Sequence, residues 1–285
     1  MEYRILSKTD LRVSRLSFGP MTFGSQTDEG PALRIVDRCL DAGINFFDTA
    51  NIYNKGLAES IVGKALKGRR SNAVLATKVR GKMGDGPDES GLSRAAIHKA
   101  IDASLRRLQT DYVDIYYLHQ PDYDVPIEET LAAMDEVVRA GKVRYPAVSN
   151  FAAWQVCEIL WIAEKSGIRP PYISQPMYNL LARGIEEEYL PFCKRFGVAL
   201  VPYNPLAGGL LTGKHARAGR SAELASTGIS SISTATGTMT TSQPSKSSDP
   251  SPARPGRRWP SWPSNGCSLN PTWIRSSSAH PGSNS

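Results

Sequence analysis

The chain has 285 residues and a formal net charge of +7, enough length for one large domain or two ordinary ones. A pI of about 9.2 would suit a nucleic-acid binder, but no basic helix or aromatic stacking platform accompanies the positive charge, so no nucleic-acid partner is expected. No apolar signal core opens the chain, and no stretch approaches the roughly eighteen apolar residues of a membrane span, so the sequence predicts no membrane insertion and a cytoplasmic location.

The predicted elements begin with two short segments between Tyr3 and Val13, placed around Lys8-Thr9-Asp10 as in a hairpin. Strands are then expected at Leu16–Gly19, Ile44–Asp48, Ala73–Lys78, Tyr112–His119, Val143–Ser149, Tyr172–Gln175 and Val198–Tyr203. Amphipathic stretches alternate with them at Pro31–Ala42, Leu57–Leu66, Ser93–Leu108, Ile127–Ala140, Ala152–Lys165 and Ile185–Arg195. Ser93 and Thr110 stand at cap positions, and Gly141 where a helix ends. Cys39, Cys157 and Cys193 fall in helix-like segments, where a free cysteine is usually a small buried hydrophobe. Strand–helix repeats of this length predict an α/β fold, a (β/α)8 TIM barrel. No Gly-rich fingerprint follows any strand, against a doubly wound dinucleotide fold.

The composition changes near residue 215. From His215 onward, Ser, Thr and Pro supply 33 of 71 residues, and seven Arg or Lys against two acids carry five of the seven net charges. Such a stretch buries too little apolar surface to offset its ordering entropy. The expected domains are therefore a barrel body at 1–214 and a disordered or out-of-frame tail at 215–285. The eighth strand and helix that would close the barrel are not visible in the tail.

Barrel enzymes carry their chemistry at the C-terminal ends of strands. Here three consecutive strands each end in an ionisable residue, Asp48, Lys78 and His119, and Tyr53 follows five residues after the first. Each alone has a bland reading: a helix cap, a solvated lysine, a satisfied core histidine or a packed tyrosine. Together they outline a proton-transfer site. An ammonium beside a phenol favours the phenolate and lowers its pKa from about 10, and a carboxylate can hold that ammonium in place.

Asp48-Thr49-Ala50 with Tyr53, Lys78 and His119 resembles the catalytic tetrad of the aldo-keto reductases. Gly141-Lys142-Val143-Arg144-Tyr145, Val148-Ser149-Asn150-Phe151, Gln175-Pro176-Met177-Tyr178-Asn179 and Tyr203-Asn204-Pro205-Leu206 also resemble that family. The resemblance runs from Tyr3 to Lys214, and is nearest to bacterial reductases related to the voltage-gated potassium channel β subunits. It implies an NADPH-dependent reduction of aldehydes or ketones, with Tyr53 as general acid, Lys78 and Asp48 lowering its pKa, and His119 orienting the carbonyl. It implies that Asp48, Ser149, Asn150 and Gln175 belong to the cofactor site, the last three holding the nicotinamide carboxamide. Tyr203 would stack on the ring, Met21 and Thr22 would flank it, and Asn204, Leu206, Gly208 and Lys214 would begin the loop around the pyrophosphate. The implied partner is a small carbonyl substrate, with no metal; a homo-oligomer is open. A cofactor-sensing subunit of a membrane channel, or an inactive reductase with a damaged reading frame, are the alternatives.

Two departures from the family pattern stand out. Pro146-Ala147 precedes Val148-Ser149-Asn150 where the family has a small or β-branched residue and a glycine. A proline inside a strand removes a ladder donor, so a distorted strand and a displaced Ser149 are expected. The second departure is the tail. Read two bases forward, the codons for Asn270 to Ala279 permit P-D-V-D-S-V-I-I-G-A, much like the family's eighth strand, and both Trp-Pro junctions become alanine codons. A frame change beyond about Gly213 is the expectation, with weak NADPH binding and an aggregation-prone open barrel as its consequences. A genuine low-complexity tail is the alternative.

Overall fold

The structure, a computed structural model, describes residues 1–214. The tail at 215–285, and with it the closing strand and helix, lies outside the described residues. β1 (Tyr3–Ile5) and β2 (Arg12–Ser14) form the expected antiparallel hairpin, its turn passing through Lys8 at φ 56°. Seven strands then pair in parallel and strictly in chain order: β3 (Ser17–Phe18), β4 (Phe46–Asp48), β5 (Val74–Val79), β6 (Val113–Leu118), β7 (Val143–Ser149), β8 (Ile173–Gln175) and β9 (Ala199–Leu200). Between them run α1 (Glu29–Asp41), α2 (Leu57–Ala65), α3 (Arg94–Leu108), α4 (Ile127–Arg139), α5 (Ala153–Ser166) and α6 (Tyr189–Phe196). One helix between each pair of sequential parallel strands is the (β/α) barrel pattern, α/β as the sequence predicts.

The period of two along each strand sorts the core into two clusters. Leu75 and Val79 of β5, Tyr116 and Leu118 of β6 and Val148 of β7 pack against the helices. Val74 and Ala76, Ile115 and Tyr117, Ala147, Ile173 and Val201 form a second cluster with Phe46. Leu6, Leu11 and Val13 join that cluster, so the hairpin buries its apolar residues with the inward-facing side chains. Helix packing is tight where α2 meets α3: a Cβ at Gly63 would lie 2.6 Å from the Leu108 carbonyl, so any larger residue there must push the helices apart.

Local chemistry sets the helix ends. Ser93 caps α3 by accepting from the Ala96 N–H, as expected. At the other end the left-handed residue is Gln109, at φ 54°, while Thr110 turns its hydroxyl to the Tyr112 carbonyl. Gly141, at φ 74°, follows α4. The predicted helix Ile185–Arg195 starts late: a 3-10 turn at Gly184–Glu186 precedes α6. The cause is Pro191, which a helix begun at 185 would hold in its interior, without an N–H and against a carbonyl. Starting at Tyr189 places it in the first turn, where no donor is needed.

The predicted distortion at Pro146 is not observed. β7 runs unbroken from Val143 to Ser149 and keeps register with β6 through Tyr116↔Pro146. Its pairing with β8 covers Val148 and Ser149, beyond the proline, so the β8 ladder never calls on the missing donor. Ser149 is accordingly in register with Gln175.

Candidate active site

One register rule assembles the site. Asp48 lies two residues beyond Phe46, Lys78 beyond Ala76, His119 beyond Tyr117, Ser149 beyond Ala147, Gln175 beyond Ile173 and Tyr203 beyond Val201. Each is thus the next inward position after the last apolar one, and all fall at the C-terminal ends of their strands.

The Lys78 ammonium, 2% exposed, donates to Asp48 Oδ1 and, at 2.8 Å, to the Thr49 carbonyl. Asp48 Oδ2 accepts from Gln175 Nε2 at 2.5 Å. A buried carboxylate thereby keeps partners on both oxygens. Lys78 Nζ also lies 5.2 Å from the Tyr53 ring centroid. Burial by itself would lower the Lys78 pKa, but the charges of Asp48 and Tyr53 outweigh it and the net shift is upward. Lys78 therefore stays an ammonium at neutral pH.

Tyr53 opens a 3-10 turn in which Asn54 and Lys55 have φ 48° and 54°, and its N–H donates to the Ala50 carbonyl at 3.1 Å. The His119 ring meets the Tyr53 ring edge-on, centroids 6.1 Å apart. Burial, with the nearby charges of Lys78 and Arg80, pushes the His119 pKa down to about 3. His119 is a neutral imidazole at neutral pH, able to hydrogen-bond but a poor proton donor.

A second chain of contacts leads from His119 across β7 to β9. Asn150, at φ 62°, donates from Nδ2 to the His119 carbonyl at 2.9 Å and to Ser149 Oγ at 3.1 Å. Ser149 Oγ donates to the Gln175 carbonyl at 2.9 Å, and Tyr203 OH donates to Asn150 Oδ1 at 3.0 Å. Burial, then the neighbouring Tyr53, raises the Tyr203 pKa. The eight residues Asp48, Tyr53, Lys78, His119, Ser149, Asn150, Gln175 and Tyr203 are thus brought together.

The other predicted cofactor residues lie on two loops, one at 21–22 and one at 204–214 that follows Tyr203. Met21 and Thr22 sit on a loop fastened to the Tyr53 turn, because Asn54 Nδ2 donates to the Met21 and Phe23 carbonyls at 3.1 and 2.7 Å. Asn204, at φ 63°, receives the Gly208 N–H at 2.7 Å, closing the turn. Leu206 is exposed. The Lys214 side chain folds back over Gly209, whose φ of 99° only glycine adopts easily.

Three contributors escaped the sequence reading. Asn54 clamps the Met21 loop, and nothing in a lone asparagine announces that. Tyr117 lies beneath the tetrad with Lys78 Nζ 5.6 Å from its ring, its hydroxyl buried without a hydrogen-bond partner; the period of two from His119 would have found it. Arg80 acts on His119 through its charge, and its spacing of two from Lys78 was the available signal.

A family model for the aldo/keto reductase family matches residues 15–229. A probable voltage-gated potassium channel subunit beta of Oryza sativa subsp. japonica is 42% identical over 228 residues, 78% of this chain and 69% of the relative. The uncharacterized oxidoreductase YrpG of Bacillus subtilis is 46% identical over 236 residues, 79% of this chain and 72% of the relative. The aldo-keto reductase YhdN of the same organism is 40% identical over 220 residues, 75% of this chain and 65% of the relative.

Proposed function

Because this chain belongs to the aldo/keto reductase family, and is an oxidoreductase by that membership, we propose that it reduces small aldehydes or ketones to alcohols with NADPH. The observation that carries the reading is the buried Lys78–Asp48 pair beside the Tyr53 ring. A tyrosine hydroxyl titrates near 10 in water, too high to give up its proton readily. Lys78, held charged by Asp48, stabilises the phenolate that Tyr53 becomes as its proton moves to the carbonyl oxygen. His119, neutral because its pKa is near 3, donates a hydrogen bond to that oxygen and leaves the proton transfer to Tyr53.

The residues between β7 and β9 fit a nicotinamide. Ser149, Asn150 and Gln175 supply the hydroxyl and amide groups that a carboxamide pairs with, and the Tyr203 phenol is tied to them by its bond to Asn150. A reduced nicotinamide held by these residues would supply the hydride for the carbonyl carbon. Tyr203 would cover one ring face, Met21 and Thr22 would flank it, and Asn204, Leu206, Gly208 and Lys214 would begin the pyrophosphate loop.

The test is NADPH oxidation by the 285-residue chain with a reactive aldehyde, set beside Tyr53→Phe. Loss of general-acid catalysis is expected to slow turnover by about 10²–10⁴-fold with the melting temperature unchanged. Equal rates in the two proteins would sink the tyrosine mechanism. A second reading, a cofactor-sensing subunit of a membrane channel, is favoured by the 42% identical relative named a probable voltage-gated potassium channel subunit beta; copurification with a membrane protein would distinguish it. Among the described residues no helix is long and apolar enough to cross a membrane. We further propose that residues 1–214 are the barrel body and that the sequence at 215–285 is read out of frame. On that view restoring the frame raises NADPH affinity.

A further inference from the structure

The three residues after Tyr53 all have left-handed backbone: Asn54 at φ 48°, Lys55 at φ 54° and Gly56 at φ 89°. Glycine adopts that conformation freely and asparagine tolerates it, while lysine is strained there. The bland account of Asn54 is that an asparagine merely suits the backbone. Lys55 weakens that account, because a residue with no such aptitude holds the same conformation next door. What sets Asn54 apart is the use of its amide.

The loop at 21–27 closes on itself. The Gly24 N–H reaches the Thr27 carbonyl at 2.9 Å, the Thr27 N–H reaches the Thr22 carbonyl at 3.1 Å, and the Thr22 and Thr27 hydroxyls lie 3.2 Å apart. The hydrogen bonds that join this loop to a distant element, among the described residues, both come from Asn54 Nδ2. It donates to the Met21 carbonyl at 3.1 Å and to the Phe23 carbonyl at 2.7 Å, one amide proton for each. The loop also rests on Leu57, just past the turn: a Cβ at Gly24 would lie 2.4 Å from Leu57 Cδ2. On the other side a Cβ at Gly81 would lie 2.4 Å from Ile52 Cδ1, so the segment leaving β5 backs the residue before Tyr53.

We propose that Asn54 is a positioning residue for the reduction, locking the 21–27 loop and the Tyr53 turn into one unit so that the nicotinamide and the general acid keep a fixed separation. The inference rests on the roles proposed for Tyr53, Met21 and Thr22. Hydride and proton go to the two atoms of one carbonyl, and a shift of one donor against the other by about 1 Å costs on the order of 10²-fold in rate. Asn54 acts only through the two segments it joins.

The deciding variant is Asn54→Asp, which keeps the shape and the tolerance of left-handed backbone but has no N–H to give. Hydrogen exchange of the 285-residue chain reads the tie without catalysis. The amides of Phe23, Gly24, Ser25 and Thr27, bonded within the loop, should exchange about tenfold faster, in step with those of Tyr53 and Lys55, while the α4 amides keep their rates. Aldehyde-dependent NADPH oxidation reads the consequence. The kcat should fall about tenfold or more at an unchanged aldehyde KM, with a larger isotope effect from NADPH deuterated at the transferred hydride. Asn54→Gly, which relaxes the backbone and so keeps the fold, should show the same pair of losses. Unchanged exchange in both segments would overturn the tie, and loosened segments with kcat unmoved would overturn the positioning role. A parent no faster than its Tyr53→Phe variant would instead remove the tyrosine mechanism and the catalytic half of the inference, with the exchange rates still deciding the tie.

Discussion

One sheet carries a buried aspartate at each end of its barrel, Asp114 at the strand starts and Asp48 at the strand ends, and the two are equipped differently. Asp114, near the start of β6, accepts from Arg70 at 2.7 Å, from Arg144 at 2.8 Å and from the Leu75 N–H at 2.9 Å. Asp48, at the end of β4, has Lys78 and Gln175. Guanidiniums do not lose their protons, so the Asp114 cluster can only hold strands together. An ammonium is a titratable point charge, and Lys78 has a phenol beside it. A buried carboxylate by itself says little about chemistry; the kind of cation, and what that cation touches next, separate a clamp from a reactive site.

Lys78→Met is the sharpest way to break the comparison. It removes the charge that the proposed mechanism sets beside Tyr53 and strips a buried carboxylate of its cation. Turnover should drop by about 10²–10⁴-fold, and stability by about 3–5 kcal/mol, read by aldehyde-dependent NADPH oxidation and by urea unfolding. Asp114→Ala should reproduce the second effect without the first. It leaves Arg70 without a carboxylate and Arg144 with only the exposed Asp10, and Arg70 Nε is already buried and unpartnered. A loss of about 2–4 kcal/mol is expected, with kcat per folded molecule near that of the parent. A large fall in kcat in that variant would show that the two ends are coupled and that the division is wrong.

How much of this was readable depended on whether the information was periodic. Alternation of apolar residues placed every strand within a few positions, and the six strand-end residues follow from that register. The fold could be read for the same reason: repeated strand–helix units leave few topologies. Side chains acting across distant loops were not legible. Asn54 holds the Met21 loop from 33 residues away. Rules about local breakers misled at Pro146, where the outcome depended on how far the neighbouring strand reaches. At Pro191 the same kind of rule, had it been applied, would have set the start of α6.

The next effect is a pH dependence confined to the tetrad end. His119 has its pKa lowered from 6.5 to about 3, so between those values the unfolded chain binds a proton that the folded one refuses. Its contribution to stability is present above pH 6.5 and is lost as the pH falls toward 3. The slope it adds is at most about 1.4 kcal/mol per pH unit. Unfolding free energies at pH 4.5, 5.5 and 7 should converge less steeply toward zero in His119→Asn than in the parent. Other carboxylates contribute to both proteins alike and drop out of the difference. Parallel curves would mean that the His119 pKa is not lowered in the folded state and that the neutral role proposed for it at the carbonyl is wrong.

The smallest effect tests where the clamp ends. Arg144 reaches past Asp114 to Asp10 on the hairpin turn, at 2.8 Å, and Tyr145 OH donates to the same carboxylate at 2.9 Å. The geometry resembles an extension of the buried cluster, but the Asp10 side chain is 66% exposed, so water and salt answer most of its charge. Asp10→Ala should therefore cost less than about 1 kcal/mol, and the loss should shrink in high salt. Leu6, Leu11 and Val13 keep the hairpin attached through burial, independent of that carboxylate. If Asp10→Ala cost as much as Asp114→Ala, the hairpin would be held by its ion pair rather than by its apolar residues. The clamp would then extend to the surface.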